Sequence, residues 1–194
     1  LFRSSAASDV YKRQGGRFKG RIIQFLKTKN TRPLKDSVRE NIFNILSHSN
    51  EINLELKNAF ILDLYSGIGS FGLECLSRGA KMVTFVEIDI EASKILKENL
   101  LKLSIYNEGE IIKNRIENIK NWKRKYNIFF LDPPFKDLKF INNLKELKNQ
   151  KIYNKNHLII IHREKNSKDD FEGILKIINE KVYGRSKIIF ALFK

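Results

Sequence analysis

Ile61-Leu62-Asp63-Leu64-Tyr65-Ser66-Gly67-Ile68-Gly69-Ser70-Phe71-Gly72 is the stretch that decides the fold. Residues 59–65 form a short apolar run, the length of a buried strand, with Asp63 near its end. A glycine loop follows, and then a helix expected over residues 70–78. Gly67 and Gly69 let the backbone turn tightly and come close to a ligand that any side chain would push away. Glu87 lies 20 residues after Gly67, at the tip of a second apolar run over residues 81–88. A carboxylate there can accept both hydroxyls of a ribose. Alone, Gly67-x-Gly69-x-x-Gly72 followed by an acid also fits a dinucleotide-binding fingerprint.

Outward from this unit the same alternation continues. A helix is expected over residues 34–47, with Val38, Ile42, Ile45 and Leu46 at helical spacing, and another over residues 91–103. Further strands are expected over residues 110–113, 127–131 and 157–161. The runs 174–182 and 188–193 flank Tyr183-Gly184-Arg185-Ser186, the turn of an antiparallel pair. Strands alternating with helices predict an α/β fold with a mostly parallel sheet covered on both faces. In such sheets ligands bind at the carboxyl ends of the strands, where the strand order reverses.

Composition sets the outer limits. The chain has 194 residues, enough for one domain with a proper core, and 42% of them are apolar. No apolar run approaches a membrane span. Cys75 is the single cysteine and no Cys/His cluster is present, so neither a disulfide nor a metal is expected, and a cytoplasmic location is the default. A net charge of +15 favours polyanionic partners, although 26 of the 37 basic residues are Lys, as on many solvated surfaces. Residues 4–14 look like a translated sequencing adapter and Leu1 is not a start Met. Residues 1–14 are therefore set apart as an artefact without ordered structure, with the natural N-terminus missing. Residues 15–50 are expected to form a basic segment and helix, and residues 51–194 the main domain.

Leu131-Asp132-Pro133-Pro134-Phe135 carries the chemistry. An exocyclic base amine is a weak nucleophile because its lone pair is delocalised into the ring. A catalyst helps by accepting hydrogen bonds from both N–H groups, which localises the lone pair and steadies the developing positive charge. The Asp132 carboxylate and the Pro133 carbonyl are the expected acceptors. Pro133 and Pro134 stiffen the segment, and the proline after Asp132 holds that residue extended. Phe135 offers a flat face to a base that has left its stack.

These stretches together resemble a known family, the bacterial 16S ribosomal RNA guanine-N2 methyltransferases that act on guanine 966. The matching residues are Gly16-Arg17-Phe18-Lys19-Gly20-Arg21, Thr31-Arg32-Pro33 and Val38-Arg39-Glu40-Asn41-Ile42-Phe43-Asn44. They continue with the glycine loop, Gly72-Leu73-Glu74, Ser77-Arg78-Gly79-Ala80, Val86-Glu87, Asp132 to Phe135 and Tyr183-Gly184. The resemblance covers residues 16–194. It implies a Rossmann-like class I methyltransferase with a seven-stranded, mostly parallel sheet whose last strand is antiparallel. It implies S-adenosylmethionine as cofactor and 16S ribosomal RNA or a small-subunit particle as partner, with a monomeric, metal-free, non-membrane protein.

By that resemblance Asp63 faces the methionine end of the cofactor, and Tyr65, Gly67, Gly69, Glu87, Asn114 and Arg115 complete its site. Asp132, Pro133, Pro134 and Phe135 form the catalytic segment. Arg17, Lys19, Arg21, Arg32 and Arg39 are the candidates for RNA phosphate contacts, which give affinity without reading sequence. Asn114 stands where the class often has an acid, and Tyr65-Ser66 where Phe-Ala is usual. Cys75 is expected in the core, and Trp122 as an anchor before the fourth strand. His48, His157 and His162 are expected to have no catalytic or metal role. Three rival functions are an amine methyltransferase acting on adenine N6 or protein glutamine, a nicotinamide oxidoreductase, and a non-catalytic RNA-binding protein.

Overall fold

A computed structural model describes residues 11–12, 15–24 and 34–194. The main sheet has seven strands: β1 (Phe60–Leu64), β2 (Met82–Val86), β3 (Gly109–Ile112), β4 (Tyr126–Leu131), β5 (Tyr153–Glu164), β6 (Leu175–Tyr183) and β7 (Ser186–Phe193). Helix α1 (Asp36–His48) precedes it. Helices α2 (Ser70–Ser77), α3 (Ile90–Lys102) and α4 (Phe140–Asn149) follow β1, β2 and β4. The strand order is β3-β2-β1-β4-β5-β7-β6, and only β7 runs antiparallel to its neighbours. This is the expected class I methyltransferase sheet. The order reverses between β1 and β4, so the tips of these two strands border the switch-point crevice.

Alternating side chains give the central strands two buried faces. Ile61, Ile128, Phe130, Leu158 and Ile160 join α1, α2 and α3 in one apolar cluster. Leu62, Leu64, Phe129, Leu131, Ile159 and Ile161 face α4 in the other. Phe43 of α1 stacks on Phe71 of α2 at 5.3 Å between ring centres, and Phe71 stacks on Phe130 of β4 at 4.0 Å. Each such ring taken from water stabilises by about 1.5–3 kcal/mol. Phe18 and Ile23 join the same cluster, so the basic segment shares its core with the main domain. No helix among the described residues is long and apolar enough to cross a membrane.

Three features differ from expectation. Helix α4 was unmarked, although Phe140, Leu144 and Leu147 form its buried stripe. It starts without a side-chain cap of its own, Lys139 holding the N-cap position, and so lacks the usual start signal. Strand β5 begins at Tyr153, four residues earlier than expected, through a polar stretch where its pairing with β4 is irregular. Finally, Tyr11–Lys12 pairs antiparallel with Ile22–Ile23, so the expected boundary at residue 14 falls inside a small ribbon.

Candidate active site

The cofactor side is made mostly of main chain. Tyr65, Gly67 and Gly69 have φ of 58°, 54° and 80°, all left-handed. That conformation is easy for glycine and costly for tyrosine. Tyr65 is held there by its half-buried ring and by Asn143, whose amide donates to the phenol oxygen at 3.0 Å. Burial pushes the Tyr65 phenol well above its ordinary value. A Cβ on Gly67 would meet nothing, so its α-carbon faces open space, whereas one on Gly69 would strike Leu96 of α3 at 2.4 Å.

Glu87 closes the turn. One carboxylate oxygen accepts the Gly67 N–H at 2.7 Å and the other accepts the Asp89 N–H at 2.8 Å. A carboxylate offers about four acceptor positions, so two remain for ligand hydroxyls. Tyr65, Glu87, Ile88, Asn114, Arg115 and Asp137 line one open cleft. The structure thus brings four expected cofactor residues, Tyr65, Glu87, Asn114 and Arg115, to one cleft, with Gly67 bonded to Glu87. Asn114 presents an oxygen that already accepts the Arg115 N–H at 2.8 Å, so a ligand amine has to share it.

Asp63 is buried beneath the loop and accepts the Gly72 N–H of the first turn of α2 at 2.9 Å. It shapes the loop from beneath. Burial raises its carboxyl well above the usual range; the charges of Asp132 and Glu87 add to this and the Gly72 N–H opposes it.

The catalytic side is made of side chains. Asp132 follows β4 directly, and its N–H reaches the Leu64 carbonyl of β1 at 3.4 Å. One carboxylate oxygen, Oδ1, lies 2.8 Å from Nδ1 of His162 on β5. The other ring nitrogen of His162 lies 2.9 Å from the hydroxyl of Ser186, the first residue of β7. Arg163 is buried and donates to the carbonyls of Pro134 at 3.2 Å and Phe135 at 3.0 Å. It also forms a two-point pair with Asp169 at 2.9 and 3.1 Å, and its guanidinium lies over the Phe140 ring at 4.5 Å. Among the described residues, Oδ2 of Asp132 and the carbonyl of Pro133 have no partner. Both are free to accept from a ligand. Phe135 is half-buried and meets the His162 ring edge-on at 5.5 Å.

His162 therefore departs from expectation: it touches the Asp132 carboxylate. Its signal was present but indirect, since it ends the apolar run of β5 beside the tip of β4. Arg163 and Asp169 were also missed. Adjacent residues of a strand face opposite sides of the sheet, which lets His162 hold the Asp132 side chain while Arg163 holds the following backbone. His157 is structural as expected, with Nδ1 at 2.8 Å from the Asn154 carbonyl and Nε2 accepting the Phe193 N–H at 2.9 Å. Cys75 is buried, and Trp122 packs edge-on to Tyr126 before β4.

Arg17, Lys19 and Arg21 are exposed on the N-terminal segment, with Arg17 paired to Glu108 and lying over Phe18. The segment docks through Ser77, whose hydroxyl accepts the Phe18 N–H, and through Asn99 of α3. Asn99 accepts the Gln24 N–H at 2.7 Å and donates to the carbonyls of Gln24 at 3.2 Å and Ile68 at 3.5 Å, tying the segment to the glycine loop. Arg32 lies outside the described residues. Arg39 departs from expectation as well. It is fully buried beside Asp36, and burial lowers it to about 10, so it supports α1 and meets no phosphate.

Known proteins resemble this chain in sequence and fold. The sequence model of the family described as conserved hypothetical protein 95 matches residues 12–192. The ribosomal RNA small subunit methyltransferase D of Buchnera aphidicola subsp. Baizongia pistaciae is 38% identical over 149 residues, covering 77% of this chain and 74% of that one. Its Escherichia coli counterpart of the same name is 34% identical over 122 residues, covering 63% and 59%. Among solved structures, a putative methyltransferase from Escherichia coli has a TM-score of 0.80 at 26% identity, covering 95% of this chain and 98% of that one. An RNA methyltransferase from Salinibacter ruber, solved with S-adenosyl-L-homocysteine, shares the fold with a TM-score of 0.62 at 13% identity, covering 84% and 95%. The loop, the cleft and the Asp132 segment thus sit in a recognised setting, and the chain belongs to the ribosomal RNA small subunit methyltransferase D family of class I methyltransferases.

Proposed function

We propose that the protein methylates the N2 amine of a guanine in small-subunit ribosomal RNA, the guanine at position 966 by the resemblance of its N-terminal motifs. At the coarser level it is an S-adenosylmethionine-dependent ribosomal RNA methyltransferase. The observation that carries the amine chemistry is the pair of unpartnered acceptors, Asp132 Oδ2 and the Pro133 carbonyl, on a segment whose next two carbonyls are already taken.

The residues present fit the cofactor. Glu87 has acceptor positions left for a ribose, Gly67 opens onto free space, and Tyr65, Asn114 and Arg115 flank the cleft. Asp63 orders the loop. S-adenosylmethionine supplies an electrophilic methyl group when bound. The protein's own part is then positional and electrostatic. Asp132 accepts one amine N–H and Pro133 the other, so positive charge developing on nitrogen meets a carboxylate and a carbonyl dipole. Asp132 Oδ2 is also the nearest acceptor for the proton that the methylated amine sheds. Phe135 gives the flipped base a ring to rest on. Arg17, Lys19 and Arg21 contact RNA phosphates, with Arg32 as a further candidate.

The test is methyl transfer to unmodified small-subunit RNA and to assembled particles, with labelled S-adenosylmethionine and mapping of the product. We expect N2-methylguanine at one site, reduced at least about 10²–10³-fold in Asp132→Ala with cofactor affinity retained. Label on adenine N6 or on a protein glutamine would move the target, and absence of cofactor binding would end the reading.

A further inference from the structure

We propose that His162 is the positioning residue for Asp132, and that Ser186 sets the state of its ring. This rests on the reading of Asp132 as the amine acceptor.

The donor and acceptor inventory fixes the direction of each bond. A carboxylate oxygen only accepts, so Nδ1 of His162 carries the proton and donates to Oδ1 of Asp132 at 2.8 Å. A neutral imidazole with its proton on Nδ1 has a lone pair on Nε2. The Ser186 hydroxyl, 2.9 Å away, donates into it. The hydroxyl thereby favours the one tautomer that can hold the aspartate.

The consequence lies in the carboxylate. Without His162, Asp132 would turn freely about its last side-chain bond and offer either oxygen in any plane. With Oδ1 held, the plane is set and Oδ2 is left as the single free acceptor, which is the atom the amine needs. The ring itself cannot swing away, because it is nearly buried and Phe135 packs against it at 5.5 Å. The backbone beneath is held separately by Arg163 from the opposite face of β5. Catalysis by preorganised acceptors depends on orientation that is complete before the reaction begins.

A core histidine satisfied by chance would have the same burial but a different mutational pattern. His162→Ala should lower kcat roughly 10–100-fold, the scale seen when a group that orients a first ligand is removed. KM for RNA and the cofactor dissociation constant should stay within about twofold of wild type. His162→Asn places an amide N–H near the position of Nδ1 and should recover most of the lost kcat. In an Asp132→Ala background, His162→Ala should cost nothing further. Independently of activity, ¹⁵N NMR of the imidazole should show the Nδ1-protonated tautomer in the wild-type protein and a loss of that preference in Ser186→Ala.

An unchanged kcat in His162→Ala, an equal loss in the Asp132→Ala background, or an Nε2-protonated wild-type ring would each overturn the proposal. If His162→Ala fails to fold, His162→Asn and the wild-type tautomer still decide. A wild-type protein with the Nδ1 tautomer but no transfer to any RNA would sink the functional reading, not the geometry of this contact.

Discussion

The two sides of the cleft are built in opposite ways. At the tips of β1 and β2 the shape comes mostly from main chain: left-handed turns and N–H groups gathered by two carboxylates, all between Asp63 and Asp89. At the tips of β4 and β5 it comes from side chains that arrive from distant sequence: His162, Arg163, Asp169 and Ser186. The first side opens onto solvent and leaves acceptor positions for a ligand. The second is cross-braced by hydrogen bonds and an ion pair that hold the Asp132 side chain and the backbone after it. A cofactor site can adapt as its ligand enters. A site that must polarise one amine is better finished in advance.

The brace itself gives the largest expected effect. Arg163→Ala leaves Asp169 as an uncompensated buried charge and frees the Phe135 carbonyl, which should cost about 3–5 kcal/mol. Denaturant unfolding measures this directly, and a loss below about 1 kcal/mol would break the comparison by showing that the catalytic side stands without its brace.

On the open side, Glu87→Ala should weaken S-adenosylmethionine binding roughly 10–100-fold, as expected for lost hydrogen bonds to a charged group at about 1.5–3 kcal/mol. Calorimetry reads the change, and its unfolding midpoint should move less than that of Arg163→Ala. Unchanged affinity would place the ribose elsewhere.

Asp63 separates the two sides more finely. Its carboxyl is raised in the folded state, so as pH rises the unfolded chain gives up this proton first. The stability tied to the group is fully present below about pH 4 and is lost as pH climbs through the raised value. Asp63→Asn keeps an oxygen for Gly72 and has no charge to bury. It should match wild type near pH 4 and exceed it near pH 8, by roughly 2–4 °C in midpoint for each kcal/mol relieved. Melting curves across that range provide the check. A variant less stable at every pH would show that the loop needs the charged carboxylate.

This contrast also governs what could be seen in the sequence. The glycine loop and Glu87 were legible because each bond runs within one short unit and demands particular residue types. The sheet was legible for the same reason, since its strands are continuous apolar runs. The bond from Gly72 to Asp63 was not legible, because spacing shows which residue sits at a strand end and not which way its oxygens are satisfied. Arg39 failed in the same manner: it looked like one more cation in a basic segment, yet helical spacing turns it inward. His162 stayed hidden because its partners lie 30 and 24 residues away, on two different strands. Only the strand order, which reverses between β1 and β4 and slots β7 beside β5, brings those three together.

That slot has a consequence for how the protein is made. Strand β7 lies between β5 and β6, and β6 touches the sheet only through it. During synthesis, which runs from the N-terminus, β5 therefore waits with an open edge while β6 emerges with nothing beside it. Ser186 arrives later than every other member of the catalytic side. The nascent chain has all the residues of the cleft well before His162 has its hydroxyl partner.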